Sequence, residues 1–207
     1  MEQQKFTMQI ILLSDTLIGS AEGYGAIIDK DSVFDEVGLP IIPGKRIKGI
    51  LREQAELFQL FGNSLMDVDI LFGKSGLTNK ITEYLSVSSF VLPDYEANKT
   101  YLKYLIQKKI ISRSEVMEYF TSLRMMTSID KDGIAADTSL RTFRVLNKGL
   151  VFTGELHFDP AHEKIFENIV SLTRRIGSMR NRGLGHIQCK LFAPVYQEME
   201  TEKSLAV

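Results

Sequence analysis

The sequence predicts an α+β fold with the ferredoxin-like order of strand, helix, strand, strand, helix, strand (βαββαβ). Two observations predict it: apolar residues alternate along short segments near both ends of the chain, and two other segments carry apolar residues at helical spacing. The 207 residues are 44% hydrophobic and 25% charged, an ordinary globular composition. We therefore expect one domain over residues 1–194, with a large partly helical insertion at about 62–137 and a polar tail at 195–207.

The first half of the predicted core is a strand, a glycine-rich loop and a long helix. The strand covers residues 6–13, and its alternating apolar residues share one side: Phe6, Met8, Ile10 and Leu12. The proline-containing segment 38–44 stays extended, because proline disfavours helix in the residue before it. Residues 45–60 have apolar residues at the i, i+3, i+4 and i+7 spacing of a helix with one buried side.

The start of this helix carries a basic edge. Lys45, Lys48 and Arg52 share a stripe that is separate from the apolar one. Cations near a helix N-terminus oppose its macrodipole, at a cost of about 0.3 kcal/mol or more each. A phosphate bound at this end would offset that cost.

Residues 62–137 are interpreted as an insertion that precedes the central hairpin of the core. Their clearest signal is the S-x-x-E capping box of Ser112 and Glu115, which predicts a short helix through Phe120. The other signals are an apolar run that fits a strand (86–93), a helical pattern (95–109) and a turn (130–133).

The second half of the predicted core is a hairpin, a helix and a last strand. Residues 139–158 indicate two strands that turn at 147–149. Asp159 then caps a helix that has Pro160 in its first turn. The apolar stripe of this helix is expected to be Ile165, Ile169, Leu172 and Ile176. The last strand is expected to turn Ile187, Cys189 and Leu191 inward.

Positive charge is concentrated although the chain is nearly neutral. The formal net charge is −1, which by itself argues against a dedicated nucleic-acid-binding protein. Three stretches nevertheless contain several lysines or arginines, at least one glycine and no acidic residue: 44–52, 139–149 and 174–191. Such clusters are often only solvated faces, but their distribution matters more than the total charge.

The last basic stretch begins with a segment that we call the glycine–arginine loop, residues 174–186. Its arginines are Arg174, Arg175, Arg180 and Arg182, and its glycines are Gly177, Gly183 and Gly185. Glycines let several backbone N–H groups point the same way, and arginines match phosphate oxygens. The pattern is neither a Walker A motif nor a Rossmann fingerprint. A tight turn with charged flanks is the alternative, but the other basic stretches favour RNA.

Several segments together resemble the RAMP superfamily, the RNA-binding subunits of CRISPR effector complexes. They are SAEGYGAIIDKDSVFDE (20–36), GLPIIPGKRIKGILRE (38–53), LFG (71–73), SLRTFRVLNKGLVFTGEL (139–156) and RNRGLGHIQCKL (180–191). The combination of P-G-x-x-x-K-G-x-x-R with a late G-x-G makes the resemblance specific. It is closest to a type III (Csm/Cmr-like) subunit, particularly the Csx-type RAMP of subtype III-D.

This resemblance implies an RRM-like fold that holds the backbone of a CRISPR RNA, with target RNA and other effector subunits as further partners. The implied contacts are Lys45, Arg46, Lys48 and Arg52 in the first helix, and Arg180, Arg182, Gly183 and Gly185 in the loop. His186 is a further candidate because it borders the glycines of the loop. Arg141 and Arg144 are further candidates, but three residues apart on a strand they face opposite sides. Binding of this kind requires no cofactor.

The resemblance also makes cleavage of target RNA a candidate activity. Some type III backbone subunits cut RNA with a loop aspartate and a divalent metal, and the matching residues here are Asp29 and Asp31. Both would then be catalytic and would hold Mg²⁺, which polarises a phosphoryl oxygen. Acidic residues in such a loop are more often turn formers, so the sequence leaves cleavage open.

Two alternative functions stay open. A metal-independent guide-processing endoribonuclease of the same superfamily usually needs a general base, often histidine, near the first helix. The three histidines, His157, His162 and His186, all lie late in the chain, which favours a binding subunit. A ferredoxin-like domain that binds one nucleotide or a protein partner would also fit a glycine–arginine loop.

The remaining features indicate a cytoplasmic chain without membrane contact. The single cysteine, Cys189, excludes an internal disulfide and fits a reducing compartment. The first residues lack the basic region and cleavage site of a signal peptide, and no apolar run approaches the length of a membrane span.

Overall fold

A computed structural model describes residues 3–19, 28–62, 67–73, 84–128, 131, 133–134 and 139–193. The strands in these ranges are β1 (Gln4–Leu12), β2 (Ser86–Val87), β3 (Thr121–Met126), β4 (Arg141–Leu146), β5 (Val151–Phe158) and β6 (Ile187–Phe192). The helices are α1 (Gly44–Leu60), α2 (Val68–Phe72), α3 (Tyr95–Gln107), α4 (Arg113–Phe120) and α5 (Glu163–Leu172). A 3₁₀ turn (Pro160–His162) precedes α5, and another (Arg180–Arg182) lies in the glycine–arginine loop.

The centre of the molecule is a four-stranded antiparallel sheet in the order β2-β5-β1-β6. β1 pairs with β5 from Gln4↔Phe158 to Ile11↔Val151, and with β6 from Thr7↔Phe192 to Leu12↔Ile187. With α1 between β1 and β2, and α5 between β5 and β6, this order matches the split βαβ arrangement. The predicted α+β, ferredoxin-like fold is confirmed.

The main core lies between this sheet and the helices α1 and α5. Alternate residues of β1 are at most 1% exposed, as the sequence pattern predicts: Phe6, Met8, Ile10 and Leu12. They pack in one cluster with Ile47 and Leu51 of α1 and Phe166 and Ile169 of α5. Aromatic rings add to this packing, since Phe158 lies 4.1 Å from Phe6 and 4.2 Å from Phe166 between ring centroids.

The local signals of helix ends are confirmed with one exception. The capping box of α4 forms, because Glu115 N donates to Ser112 Oγ (3.3 Å) and Ser112 N donates to Glu115 Oε2 (2.7 Å). Asp159 accepts from Ala161 N at the start of the turn before α5. The predicted stripe of α5 is wrong at its end, since Leu172 is 46% exposed and the buried Ile176 lies beyond the helix.

The expected hairpin over residues 139–158 is wrong. β4 pairs with β3, from Thr121↔Leu146 to Met126↔Arg141, and the two form a second sheet. After β4 the chain turns at Gly149, whose N–H donates to Leu12 O (2.7 Å), and enters the central sheet as β5. The hairpin fails because β3 satisfies the ladder hydrogen bonds of β4 in place of β5.

The stretch 62–137, predicted as an insertion, supplies β2 to the central sheet. Ser86 and Val87 pair with His157 and Leu156 of β5, and further bridges join Ile42 to Phe90 and Val91 to Thr153. This stretch therefore completes the four-stranded sheet on one edge. The division into one domain with an insertion stays a prediction.

The second sheet is extended by a segment that precedes α1. Lys30 forms a parallel bridge with Phe143, Asp29 N donates to Thr142 O (2.9 Å), and Arg144 N donates to Lys30 O (3.1 Å). A small apolar cluster of Leu17, Phe143, Val145 and Leu184 joins this sheet to the end of β1 and to the glycine–arginine loop. The second sheet is therefore held beside the predicted RNA-binding loop.

Three predicted features lie wholly or partly outside the described residues: the glycines of the first loop at 23 and 25, the turn at 130–133 and the tail at 195–207. Within the described ranges, the helices are too short or too polar to cross a membrane.

Candidate nucleic-acid interface

The glycine–arginine loop lies at the end of the sheet where β1 ends. Because β6 runs antiparallel to β1, its first residue pairs with Leu12, the last residue of β1. The backbone on both sides is tied together by donation from Leu13 N to His186 O (2.8 Å), from Gly185 N to Asp15 O (2.9 Å) and from Ser178 N to Leu17 O (2.9 Å). The loop is therefore held in one conformation by the segment that follows β1.

Two glycines of this loop are required by close backbone packing. Gly177 and Gly185 have φ of 80° and 75°, a region that L side chains rarely adopt. A Cβ at Gly177 would lie 2.3 Å from Leu17 O, and one at Gly185 would lie 2.0 Å from Ile176 O. Gly183 differs, since it is exposed and a Cβ there would meet nothing within 4 Å. Of the two glycines predicted to contact RNA, Gly183 is the accessible one.

Three of the four predicted cations of α1 hold neighbouring segments of the chain. Arg46 donates to Gly19 O, and Lys48 Nζ donates to Leu85 O (2.7 Å). Arg52 donates to Glu56 Oε1 (2.9 Å), Asp69 Oδ1 (2.7 Å) and Gly73 O (2.6 Å).

These contacts leave a single cation at the start of α1 without a hydrogen bond or ion pair among the described residues. Burial lowers the pKa of Lys48, as does the neighbouring Arg52, whereas hydrogen bonds to Glu56 and Asp69 raise the pKa of Arg52. Lys45 is exposed, and its ammonium has no hydrogen bond or ion pair in the described part of the chain.

The predicted cations of β4 form ion pairs with the two predicted catalytic acids. Arg141 Nη1 lies 3.1 Å from Asp29 Oδ1, and Arg144 Nη1 lies 3.3 Å from Asp31 Oδ2. The side chain of Arg144 is 18% exposed and that of Arg141 is 60% exposed. The structure therefore brings these four residues together along one edge of the second sheet.

The two aspartates occupy different environments. Asp29 is exposed and accepts from Thr142 N (2.8 Å), which lowers the pKa of its carboxyl. Asp31 is fully buried and accepts from Ser32 N (2.8 Å), and desolvation raises its pKa. Both carboxylates already serve protein donors, and the described residues contain no group of three acids, histidines or cysteines suited to a metal. They do not fit a shared Mg²⁺ site. Their catalytic role stays a prediction.

A polar cleft of about 830 Å³ runs along the glycine–arginine loop, and we call it the loop cleft. Its charged lining residues are Glu53, Arg174, Arg175, Arg180 and Arg182. Arg180 pairs with Glu53 of α1 at 3.1 Å, and Arg175 donates to Arg180 O. Arg174, Arg175 and Arg182 are exposed and form no ion pair with an acid among the described residues. These arginines give the cleft an excess of positive charge.

A second cleft of about 380 Å³ lies between the loop and the second sheet, and we call it the inter-sheet cleft. Its charged lining residues are Asp15, Arg124, Lys148 and Arg182. Sequence reasoning missed Arg124, because it lies in the stretch interpreted as an insertion. It also left Arg174, Arg175 and Lys148 out of the predicted contacts. Only folding brings Arg124 and Lys148 beside Arg182.

The remaining predicted contact, His186, is exposed where the loop joins β6. Its backbone N–H donates to Ser14 Oγ (2.9 Å), and its carbonyl accepts from Leu13 and Ser14. The backbone of His186 therefore fixes the loop, while its side chain faces outward.

A model of the RAMP superfamily matches residues 9–188 of the chain, a range that begins within β1, ends within β6 and includes the glycine–arginine loop. The chain belongs to the RAMP superfamily. The resemblance drawn from the sequence motifs is confirmed at this level, whereas the closer similarity to subtype III-D stays a prediction. A search of the curated proteins finds no match to this RAMP chain.

Solved structures of CRISPR complexes contain chains of the same fold. A chain of the type III-B Cmr-β complex bound to cognate target RNA matches with a TM-score of 0.67 at 12% identity, covering 92% of this chain and 98% of that chain. A chain of apo Cmr-β gives 0.65 at 12% identity, with coverage of 90% and 96%. A chain of a type IV-B CRISPR complex gives 0.58 at 14% identity, with coverage of 93% and 92%. At these identities the likeness establishes the fold of this RAMP chain.

Proposed function

We propose that this RAMP chain is an RNA-binding subunit of a CRISPR ribonucleoprotein complex, and that it holds the sugar–phosphate backbone of a CRISPR RNA. Support comes from the family and from the likeness to chains of Cmr-β and type IV-B complexes, one of them bound to target RNA. Its partners would be the guide, the target RNA that pairs with it, and other effector subunits.

The observation that carries the proposal is the charge of the loop cleft. Arg174, Arg175 and Arg182 line it without an acidic partner in the described part of the chain. Guanidinium groups donate in a planar fork that matches phosphate oxygens, and the backbone hydrogen bonds of the loop hold these cations near one another before RNA binds. Contacts of this kind position a strand and do not read its bases. We therefore expect binding that is largely independent of guide sequence.

The predicted cations of α1 and β4 take a different place in this proposal. Arg52 and Arg144 each have an acidic partner, and Lys48 is partly buried against Leu85 O, so we assign them to holding the fold. Lys45 and His186 stay candidates for RNA contact because their side chains are exposed. Most contacts to the RNA backbone are therefore assigned to the loop cleft.

The test compares two triple variants by fluorescence anisotropy with two single-stranded RNAs of unrelated sequence. Arg174→Ala/Arg175→Ala/Arg182→Ala should raise Kd about tenfold or more for both RNAs. The control Lys103→Ala/Lys108→Ala/Lys164→Ala removes the same charge from exposed sites on α3, its C-terminal end and α5. It should change Kd less than about twofold. Equal losses in both variants, or losses that differ strongly between the RNAs, would contradict the backbone grip.

A further inference from the structure

We propose that the inter-sheet cleft is a second phosphate-binding site, which takes a phosphodiester of the same RNA strand that occupies the loop cleft. This inference rests on the proposed function, since it assumes that the chain binds RNA. It assigns binding roles to Arg124 and Lys148, which neither the sequence motifs nor the loop cleft identify.

The cations of this cleft come from three separate parts of the chain. Arg124 lies on β3, Lys148 follows β4, and Arg182 lies in the glycine–arginine loop. The ammonium of Lys148 and the guanidinium of Arg182 are exposed and have no ion pair within the described ranges. Three cations that line one cleft favour an anion with more than one acceptor oxygen. A phosphodiester has two unesterified oxygens that can accept hydrogen bonds from these side chains.

The two clefts share Arg182, which lines both of them. Next to it, Gly183 is exposed and has no atom within 4 Å of the position where a Cβ would lie. A backbone can therefore approach the loop closely at this point. A single strand that crosses the loop at Gly183 would place phosphates on both sides of Arg182.

Asp15 is the acidic residue in this cleft and explains how Arg124 is held without RNA. Its carboxylate accepts from the Arg124 guanidinium and from Lys148 N (3.1 Å). The Asp15 side chain is 13% exposed, while that of Arg124 is 56% exposed. The arginine therefore has donors left for a phosphate, while the charge of Asp15 opposes the incoming anion. Asp15 would thus compete with a phosphate for Arg124 and weaken binding.

A purely structural role is the competing interpretation. The Asp15–Arg124 pair joins the end of β1 to the second sheet, and it would do so whether or not an anion binds. The two interpretations differ in the effect of removing the charge of Asp15. Asp15→Asn keeps the oxygen that accepts from Lys148 N, but it replaces the oxygen that accepts from Arg124 with an NH₂ group and removes the negative charge. Arg124 is then released and the repulsion of the anion is gone. A phosphate site therefore predicts tighter RNA binding, whereas a purely structural role predicts unchanged or weaker RNA binding.

The experiment measures Kd of the full chain for a single-stranded RNA at several salt concentrations, with thermal melting to verify folding. Lys148→Ala should raise Kd about threefold or more and reduce the log–log salt slope by about 0.7. Asp15→Asn should lower Kd about threefold, since it removes one opposing charge. The control Asp159→Asn makes the same exchange at a remote cap and should leave Kd unchanged.

The outcomes separate this inference from the proposed function. If Lys148→Ala and Asp15→Asn leave Kd and the salt slope unchanged while the loop-cleft triple variant weakens binding, the second site is refuted and the loop cleft stands. If neither these variants nor the triple variant changes Kd, the proposed function fails together with the inference.

Discussion

At the residue scale, the partner of each cation decides what it can do. Arg182 and Arg52 are both arginines of acid-free basic stretches, but Arg52 is tied to Glu56 and Asp69 whereas Arg182 has no acidic partner among the described residues. All three guanidinium nitrogens of Arg52 already donate within the protein, so fewer of its N–H groups remain for a phosphate. The unpaired cations of the loop and the inter-sheet cleft therefore contribute more to binding than those of α1.

The same distinction predicts different effects for the two aspartates. Asp31→Ala leaves the mostly buried Arg144 without its partner, so we expect it to lower the free energy of unfolding by about 3 kcal/mol. Asp29→Ala breaks an exposed pair with Arg141 and should have a much smaller effect. Urea denaturation of both variants measures the difference. Equal stability losses would show that the Asp31–Arg144 pair is not a buried structural contact.

At the element scale, α1 is positioned by close contact with the central sheet. Its first residue, Gly44, lies so near β2 that a Cβ would be 2.3 Å from Val87 O and 2.5 Å from Ser88 O. The helix start is therefore packed against backbone, which explains a glycine at a position where most residues would favour the helix more. Gly49, five residues later in the same helix, is exposed and has no neighbour within 4 Å of its Cβ position.

This contrast gives two substitutions of opposite sign in one helix. Gly44→Ala should destabilise the protein by about 2 kcal/mol, because the start of α1 must move away from β2. Gly49→Ala should stabilise it by about 0.5–1 kcal/mol, since alanine loses less backbone entropy in a helix. Thermal and chemical denaturation test both values. A neutral Gly44→Ala would mean that α1 does not pack this closely on β2.

The pairing of strands is also determined at the element scale. β4 alternates as a hairpin strand would, and a turn sequence follows it, so local signals indicate pairing with β5. In the structure, β3 pairs with β4 instead, and the short β2 takes the edge position beside β5. Periodicity reports that a segment is a strand but contains no information on which segment lies next to it.

For the whole molecule, charge is separated although the total is nearly zero. The net charge is −1, yet the loop cleft is lined by four arginines and one glutamate. Such a local excess can attract a polyanion while the rest of the surface stays balanced. The antiparallel pairing of β6 with β1 creates this arrangement, because it brings the loop before β6 to the end of β1.

This arrangement predicts how RNA binding responds to salt. A single strand held through about six phosphates should give a slope near −4 when the logarithm of the association constant is plotted against the logarithm of the salt concentration. Anisotropy titrations between low and moderate ionic strength measure that slope. A slope near −1 would instead indicate a pocket for one nucleotide, which is the alternative function that the sequence left open.

The sequence alone determined the class of fold, the buried side of β1 and α1, the capping box of α4 and the RAMP family. These follow from local periodicity, from hydrogen bonds within one turn and from motifs contiguous in the chain. Tertiary structure alone decided that β4 pairs with β3, that Arg52 and Arg144 are held by acids, and that Arg124 and Lys148 lie beside Arg182. The reason is physical: pairing and burial depend on residues distant in sequence, and these set which charges are free to meet a ligand.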